Sequence, residues 1–195
     1  MKKKLILVAA PPACGKTFVS EKIAEACSHI AYFDKDDLCD LVGCAFDLCG
    51  RERNMDSEFY SQNIRPFEYG SLMRLALSAV RFEDVVLVNA PFGKEVRDVE
   101  YMTDLKNELH KLNAELALVW VTAPLALCYE RMKQRNAPRD LWKLQNWDAY
   151  VKGINYSLPE LLLESGAVDR LIQFNNGDES AFRLSMDGVL QYIMR

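Results

Sequence analysis

One short segment constrains the fold of this 195-residue chain more than any other. Residues Ala10–Thr17 read Ala-Pro-Pro-Ala-Cys-Gly-Lys-Thr, close to the Gly-x4-Gly-Lys-Ser/Thr pattern that cradles phosphate between a strand and a helix. Lys4–Ala9, just before it, is apolar like a buried strand, and Lys16–Ser28 repeats apolar residues at helical spacing. The segment therefore predicts a phosphate-binding loop. The alternative is an ordinary strand–turn–helix with a chance Gly-Lys-Thr.

The loop residues have distinct expected roles toward a nucleoside triphosphate. Backbone N–H groups at the helix N-terminus point at the β-phosphate. Lys16 is expected to reach the β- and γ-phosphates, and the Thr17 hydroxyl to ligate Mg²⁺. The predicted nucleotide-binding residues are Ala13, Cys14, Gly15, Lys16, Thr17 and Phe18.

Two alanines depart from the usual loop pattern. Ala10 stands at the position of the first glycine, and Ala13 stands where many kinases have another. Glycine permits positive φ and close backbone approach, so either the loop adopts a geometry that alanine accepts or phosphate binding is weakened. Cys14, at a helix N-terminus, is expected to have a lowered thiol pKa, which suggests that oxidation blocks nucleotide binding. The alternative is a small residue that simply fits.

Apolar runs and helical patterns alternate along the chain. Fully apolar strands separated by helices predict a parallel sheet covered by helices on both faces, an α/β fold. The other predicted strands are Ile30–Phe33, Val85–Asn89, Leu116–Thr122 and Leu171–Phe174. The other predicted helices are Leu38–Leu48 with an interruption at Gly43, Ser57–Val80 with an interruption near Pro66, Val96–Leu112, Pro124–Arg135 and Ser180–Ile193.

Composition excludes several classes of function. The net charge of -4 gives no electrostatic footprint for nucleic acid or an anionic membrane, and no apolar run is long enough to span a bilayer. The apolar run at the start of the chain is too short for a signal peptide, so we expect a cytoplasmic protein. The six cysteines include no Cys-x-x-Cys, which argues for reduced thiols rather than zinc.

Four stretches together resemble the P-loop small-molecule kinases, specifically the AAA_33, zeta-toxin-like ATP-binding group. They are Ala10–Thr17, Tyr32-Phe-Asp-Lys-Asp36, the segment Val85–Phe92 that reads Val-Val-Leu-Val-Asn-Ala-Pro-Phe, and Cys128–Arg135. The resemblance implies a three-layer P-loop fold with five parallel strands in the order 2-3-1-4-5, ATP and Mg²⁺ as cofactors, and a helical lid carrying arginines. It further implies a single domain over 1–195, an acceptor-binding insertion at about 38–80 and a lid at about 124–145.

Polar residues at the strand ends are the candidates for chemistry. Asp34 directly follows the second strand, where similar kinases place the base that takes the proton of the acceptor hydroxyl. Asp36 is a candidate for holding substrate or a Mg²⁺-bound water, or alternatively it or Asp37 caps the next helix. Asn89 ends the third strand, where relatives usually carry aspartate. It is a candidate substrate-binding residue that adds no charge, or a strand-end turn residue.

Arginines after the fourth strand suggest the lid. Arg131 and Arg135 lie four apart on one helix face, and Arg139 follows Pro138. They are expected to neutralise charge on the transferred phosphoryl group, although a solvated basic helix face gives the same pattern. Asn175, after the fifth strand, is expected beside the adenine, or in a turn with a helix cap.

The acceptor pocket is the segment that the sequence describes least. Arg51 and Arg65 lie between the second and third strands beside Phe59, Tyr60 and Phe67, which suggests an anionic or ring-bearing acceptor. The same pattern arises from an aromatic core with surface arginines.

These features favour a kinase that moves the γ-phosphate of ATP to a hydroxyl of a small molecule, in a monomer or homodimer. Three alternatives stay open: a toxin-like kinase of a nucleotide sugar, a nucleotide or nucleoside kinase, and a nucleotide-binding regulatory module with weak or no transfer activity. Ala10, Ala13 and Asn89 favour the last.

Overall fold

The five apolar runs form one parallel sheet. In the computed structural model, which describes residues 2–137 and 140–195, the strand order is β2-β3-β1-β4-β5. The fold class and the strand order expected from the sequence are confirmed. The strands are β1 Lys3–Ala9, β2 Ala31–Asp34, β3 Val85–Asn89, β4 Ala114–Thr122 and β5 Arg170–Asn175.

Each face of the sheet has its own hydrophobic core, because the central strands are apolar on both sides. On one face, Leu7 and Val88 pack with Leu72 and Leu109 of the covering helices. On the other, side chains such as Val8 pack against Val19 and Val189 of other helices. The all-parallel register places the ends of β2, β3 and β1 at one edge of the sheet.

Ten α-helices cover the described part of the sheet. They are α1 Lys16–Glu25, α2 Cys39–Leu48, α3 Glu58–Asn63, α4 Arg65–Val80, α5 Val99–Lys111, α6 Leu125–Arg135, α7 Leu141–Gln145, α8 Trp147–Gly153, α9 Leu161–Glu164 and α10 Glu179–Ile193. Two 3₁₀ turns, Lys35–Leu38 and Glu95–Arg97, precede α2 and α5.

The helix boundaries follow local chemistry. The Ser57–Val80 run divides at Ile64, because Pro66 in the first turn of α4 has no N–H to donate to a preceding helix. Gly43 does not interrupt α2 and is buried within it. The 96–112 run divides at Asp98, whose carboxylate accepts the Tyr101 N–H at 3.0 Å and caps α5.

Helices α7, α8 and α9 were not expected from the sequence. They are four to seven residues long, too short for a 3.6-residue periodicity to show. Among the described residues, no helix combines the length and apolar character needed to cross a bilayer.

Candidate nucleotide and phosphoryl-transfer site

The end of β3 lies at the centre of the candidate site. In the sheet register, Asn89 pairs with Val8 of β1 on one side and with Asp34 of β2 on the other. The loop after β1 leads directly into α1, so that Lys16 and Thr17 lie over the same strand ends. The sheet register therefore brings the phosphate-loop residues and the predicted base close together.

The Asn89 side chain joins these groups in one hydrogen-bond network. Its Oδ1 accepts from Lys16 Nζ and from Ser20 Oγ, the latter at 3.2 Å. Its Nδ2 donates to Thr17 Oγ1 at 3.2 Å and to a carboxylate oxygen of Asp34. Asn89 is fully buried, and four partners satisfy its amide, so this residue is more than a strand-end turn.

The network fixes which way the amide points. Rotating it by half a turn would set the Asn89 NH₂ group against the Lys16 ammonium, donor against donor. It would also withdraw the hydrogen bond to Asp34. An aspartate here would likewise donate nothing to Asp34, so asparagine matches this arrangement in a way that the usual aspartate does not.

Asp34 is held by three donors. Besides Asn89, the Tyr32 hydroxyl donates to it at 3.0 Å, and the backbone N–H of Asp36 donates at 2.8 Å. The last bond makes Asp34 the cap of the 3₁₀ turn, a role that the sequence had suggested for Asp36 or Asp37. The carboxylate is thus oriented before any ligand binds. Asp36 is exposed, and one of its oxygens lies 3.1 Å from Lys35 Nζ.

Burial changes the ionisation of the loop lysine. Desolvation lowers the pKa of Lys16 to about 8, and the nearby carboxylates of Asp34 and Asp36 oppose that shift. A bound triphosphate would add negative charge at the ammonium and raise its pKa. Phosphate binding above pH 8 would therefore be accompanied by proton uptake at Lys16.

The backbone angles of the loop show how each of its two alanines is accommodated. Ala13 has φ of 63° and Gly15 has φ of 85°, whereas Ala10 is not among the described residues with positive φ. Ala10 thus needs no glycine. Ala13 occupies the left-handed region at a cost of roughly 1–2 kcal/mol. At Gly15, an added Cβ would lie 2.2 Å from Asn176 Nδ2, so alanine there would be strained and would require Asn176 to move.

Arg131 contacts the loop backbone. Its guanidinium donates to the carbonyl oxygens of Cys14 at 3.2 Å, Ala13 at 3.5 Å and Asn176 at 3.0 Å. The loop, α6 and the segment after β5 are thereby held together. In this arrangement Arg131 supports the loop from its carbonyl side.

Asn176 is a functional candidate that the sequence reasoning missed. It is buried, and its Nδ2 donates to the Cys14 carbonyl at 2.8 Å. The predicted neighbour Asn175 is exposed and accepts the Gly177 N–H at 2.9 Å within its own turn. Asn175 ends β5 and Asn176 follows it, so only the alternation of strand faces distinguishes them. That alternation was the available signal.

The remaining lid arginines have different surroundings. Arg135 donates to Asp140 at 2.8 Å, and the carboxylate of Asp140 is almost fully buried. Arg139 lies outside the described residues. This pairing agrees with the alternative of a basic helix face for Arg135.

The Cys14 thiol is buried against α6. Its Sγ lies 3.8 Å from Cys128 Sγ, and both side chains are almost inaccessible. The hydrogen bond with Cys128 and burial together raise the pKa of Cys14, contrary to the lowering expected at a helix N-terminus. The Cys128 contact is the larger cause of the raised pKa, and desolvation adds to it.

The side chains present fit a magnesium ion. Thr17 Oγ1 and Asp34 Oδ2 share one donor, the Asn89 NH₂, so two hard oxygens lie close together. Within 2–137 and 140–195, no group of three His, Cys, Asp or Glu side chains forms a metal cage.

The other predicted residues have partners outside the Asn89 network. The exposed aromatic Phe18 of α1 packs against Phe182 of α10 with ring centroids 5.6 Å apart. Arg51 lies over the ring of Phe59 at 5.3 Å. Arg65 is paired with Glu95, the residue that opens the second 3₁₀ turn.

The profile of the AAA_33 family, described as an AAA domain, matches residues 5–154. The chain belongs to the AAA_33 family. The match includes the loop, both strand ends at Asp34 and Asn89, and α6. No curated protein sequence matches the chain.

Solved structures share the fold of this AAA_33 protein at low identity. A candidate kinase from Chloroflexus aurantiacus j-10-fl is 17% identical with a TM-score of 0.59, over 100% of this chain and 96% of its own. Kti12 from Chaetomium thermophilum, in complex with ADP-AlF3, is 16% identical with a TM-score of 0.55, over 97% and 98%. Shikimate kinase from Acinetobacter baumannii, with shikimate, is 16% identical with a TM-score of 0.51, over 100% and 94%. These likenesses show a kinase-like P-loop fold.

Proposed function

We propose that this AAA_33 protein transfers the γ-phosphoryl group of ATP to a hydroxyl of a small molecule. The observation that carries the proposal is the Asn89 network, which holds Lys16, Thr17 and Asp34 within hydrogen-bond reach of one side chain. Phosphoryl transfer requires phosphate binding, metal binding and acceptor activation to meet at one point. These three residue types supply those functions.

Each residue has a defined task in this proposal. Backbone N–H groups of Ala13–Thr17 and the Lys16 ammonium hold the β- and γ-phosphates. Asp34, kept in place by its three donors, accepts the proton of the acceptor hydroxyl. Thr17 would ligate Mg²⁺, which when bound neutralises phosphate charge.

The elements around the site complete the proposed enzyme. Residues about 38–80 hold the acceptor in a single domain over 1–195, with Asp36, Arg51, Arg65 and Asn89 contributing. Residues about 124–145 form the lid, in which Arg131, Arg135 and Arg139 approach the transferred group when the lid closes over ATP. Asn175 and Phe18 flank the nucleotide base. We place the protein in the cytoplasm, as a monomer or homodimer acting on neither nucleic acid nor membrane.

ADP release across a panel of acceptors tests the proposal. Sugars, nucleosides, antibiotics and amino alcohols are each incubated with Mg·ATP and the protein, with Lys16→Ala as the control. At least one acceptor class should stimulate ADP release by the parent protein and leave Lys16→Ala at background. Equal stimulation of both proteins would refute the assigned site.

A second candidate is a nucleotide-binding regulatory module without efficient transfer. Two observations favour it: the strained backbone of Ala13, and the uncharged amide of Asn89 at a position where kinase-like relatives usually carry a carboxylate. This candidate predicts tight ATP binding and a phosphate product that is orthophosphate alone. The same panel, read for orthophosphate as well as ADP, separates the two.

A further inference from the structure

Two ion pairs extend from the predicted base into the acceptor-binding segment. Lys35 follows Asp34 directly and pairs with Glu68 of α4. Arg65, three residues before Glu68 on the same helix, pairs with Glu95. We call Lys35, Glu68, Arg65 and Glu95 the paired-charge belt.

The Lys35–Glu68 pair is deeply buried. The Nζ–Oε1 distance is 3.2 Å, and the side chains are only 7% and 1% exposed. The second carboxylate oxygen of Glu68 accepts the Tyr60 hydroxyl, and Lys35 also lies 3.1 Å from Asp36. The charge of Lys35 is therefore compensated by two carboxylates before any ligand arrives.

Both carboxylate oxygens of Glu95 contact the Arg65 guanidinium. Arg65 Nη1 lies 2.8 Å from Glu95 Oε1, and Nη2 donates to Oε2 at 2.9 Å. The guanidinium is also 4.0 Å from the centre of the Tyr69 ring, which covers one of its faces. A bidentate pair stacked on an aromatic ring is oriented and neutral.

The two pairs meet at Tyr69. Burial raises the pKa of its hydroxyl to about 12, and Arg65, Glu95, Lys35 and Glu68 all act on it electrostatically. Lys35 also acts on Lys16. Lys35, next to Asp34 in the chain, thus places the belt between the phosphate loop and α4. Lys94, an exposed neighbour of Glu95, donates to Ser61 of α3 and lies outside the pairs.

The paired charges decide what kind of acceptor fits. A carboxylate or phosphate near the belt would compete with Glu68 or Glu95 for its cation, and separating a buried pair leaves an uncompensated charge. Hydroxyl groups can donate to the Glu95 carboxylate and accept from remaining N–H groups of Arg65, the more exposed pair, without separating it. For Arg65, this pairing argues against the anionic acceptor that the sequence suggested.

We propose that the acceptor is an uncharged polyhydroxylated compound of the sugar or polyol class. The inference rests on the proposed kinase function, because it names the acceptor of that same site. The inference concerns a binding preference, which can be measured without turnover.

Calorimetry with matched ligand pairs tests the preference. Each pair has one uncharged polyol and its charged counterpart, such as D-glucitol with D-gluconate, or D-glucose with D-glucose 6-phosphate. Binding is measured with and without Mg²⁺ and a non-hydrolysable ATP analogue. We expect the uncharged member to bind at least about tenfold tighter. Equal or tighter binding of the charged member, or no binding of any uncharged member, overturns the inference.

A substitution in the paired-charge belt provides a second test of the inference. Glu95→Gln removes the carboxylate that neutralises Arg65 and should tighten carboxylate binding about tenfold relative to the uncharged partner. Glu115→Gln, the same change at the start of β4, is the matched control and should leave the ratio unaltered. An unchanged ratio in Glu95→Gln overturns the inference.

Turnover separates this inference from the kinase proposal. If the uncharged members bind preferentially but no phosphate is transferred to any of them, the kinase function fails and the preference stands. If transfer occurs and favours the charged members, the kinase function stands and the inference fails.

Discussion

At the scale of single residues, the site depends on how burial changes otherwise ordinary side chains. Lys16 loses hydration and becomes a weaker base than a surface lysine. Asn89 uses its whole amide on four partners, and Cys14 is a protected thiol. None of these properties follows from the residue type alone. Each arises from neighbours that are distant in sequence.

The lowered pKa of Lys16 predicts a proton-linked nucleotide affinity. At pH 9, about nine in ten Lys16 side chains of the free protein are neutral, whereas a bound triphosphate favours the ammonium. Binding should therefore take up nearly one proton at pH 9, and affinity should fall about tenfold between pH 8 and pH 9.5. Calorimetry in buffers of different ionisation enthalpy measures both. Proton uptake that persists in Lys16→Ala would contradict the assignment.

The hydrogen bonds of the Asn89 amide predict that aspartate at this position lowers stability. Asn89→Asp loses the donor to Asp34 and sets two carboxylates together, so the free energy of unfolding should fall by about 1–3 kcal/mol in EDTA. Mg²⁺ should restore part of this loss, because a cation can bridge the two carboxylates. Denaturant unfolding measures both effects.

Asn107→Asp, on the exposed face of α5, is the matched control for this substitution. It should change stability little and show no dependence on Mg²⁺. If Asn89→Asp behaved like Asn107→Asp, the Asn89 network would not have the role given to it here.

At the scale of elements, the strands were predictable and the contacts between elements were not. β1, β3 and β4 are apolar on both faces, so sequence alone located them to within two residues. The Arg65–Glu95 pair joins residues 30 apart, and no periodicity signals it. Asn176 contacts Cys14 across 162 positions. Such contacts depend on how strands are ordered in the sheet, which only the family resemblance implied.

The contact of Gly15 with Asn176 predicts a coupled pair of substitutions. Gly15→Ala should cost at least about 1–2 kcal/mol of stability from left-handed strain, with a further loss from the clash with Asn176. In Gly15→Ala/Asn176→Ala the clash disappears and the strain remains, so the two losses should not add. A double-mutant cycle by denaturant unfolding measures the coupling. Strict additivity would show that the two residues do not contact each other.

At the scale of the whole molecule, one sheet edge gathers the phosphate loop, the candidate base and the paired-charge belt. The parallel register makes this possible, because it brings the carboxyl ends of β1, β2 and β3 together. Helix α6 and the segment after β5 support the loop through Arg131 and Asn176. In the proposed function, the nucleotide would lie on the Lys16 side of Asn89 and the acceptor on the Asp34 side.

The fate of the γ-phosphoryl group tests this account most directly. Phosphorus NMR follows Mg·ATP incubated with the protein and the acceptor that most stimulates ADP release. The account predicts a phosphomonoester of that acceptor with the parent protein and none with Lys16→Ala. A phosphomonoester formed equally by Lys16→Ala, or orthophosphate as the sole product of the parent protein, would contradict it.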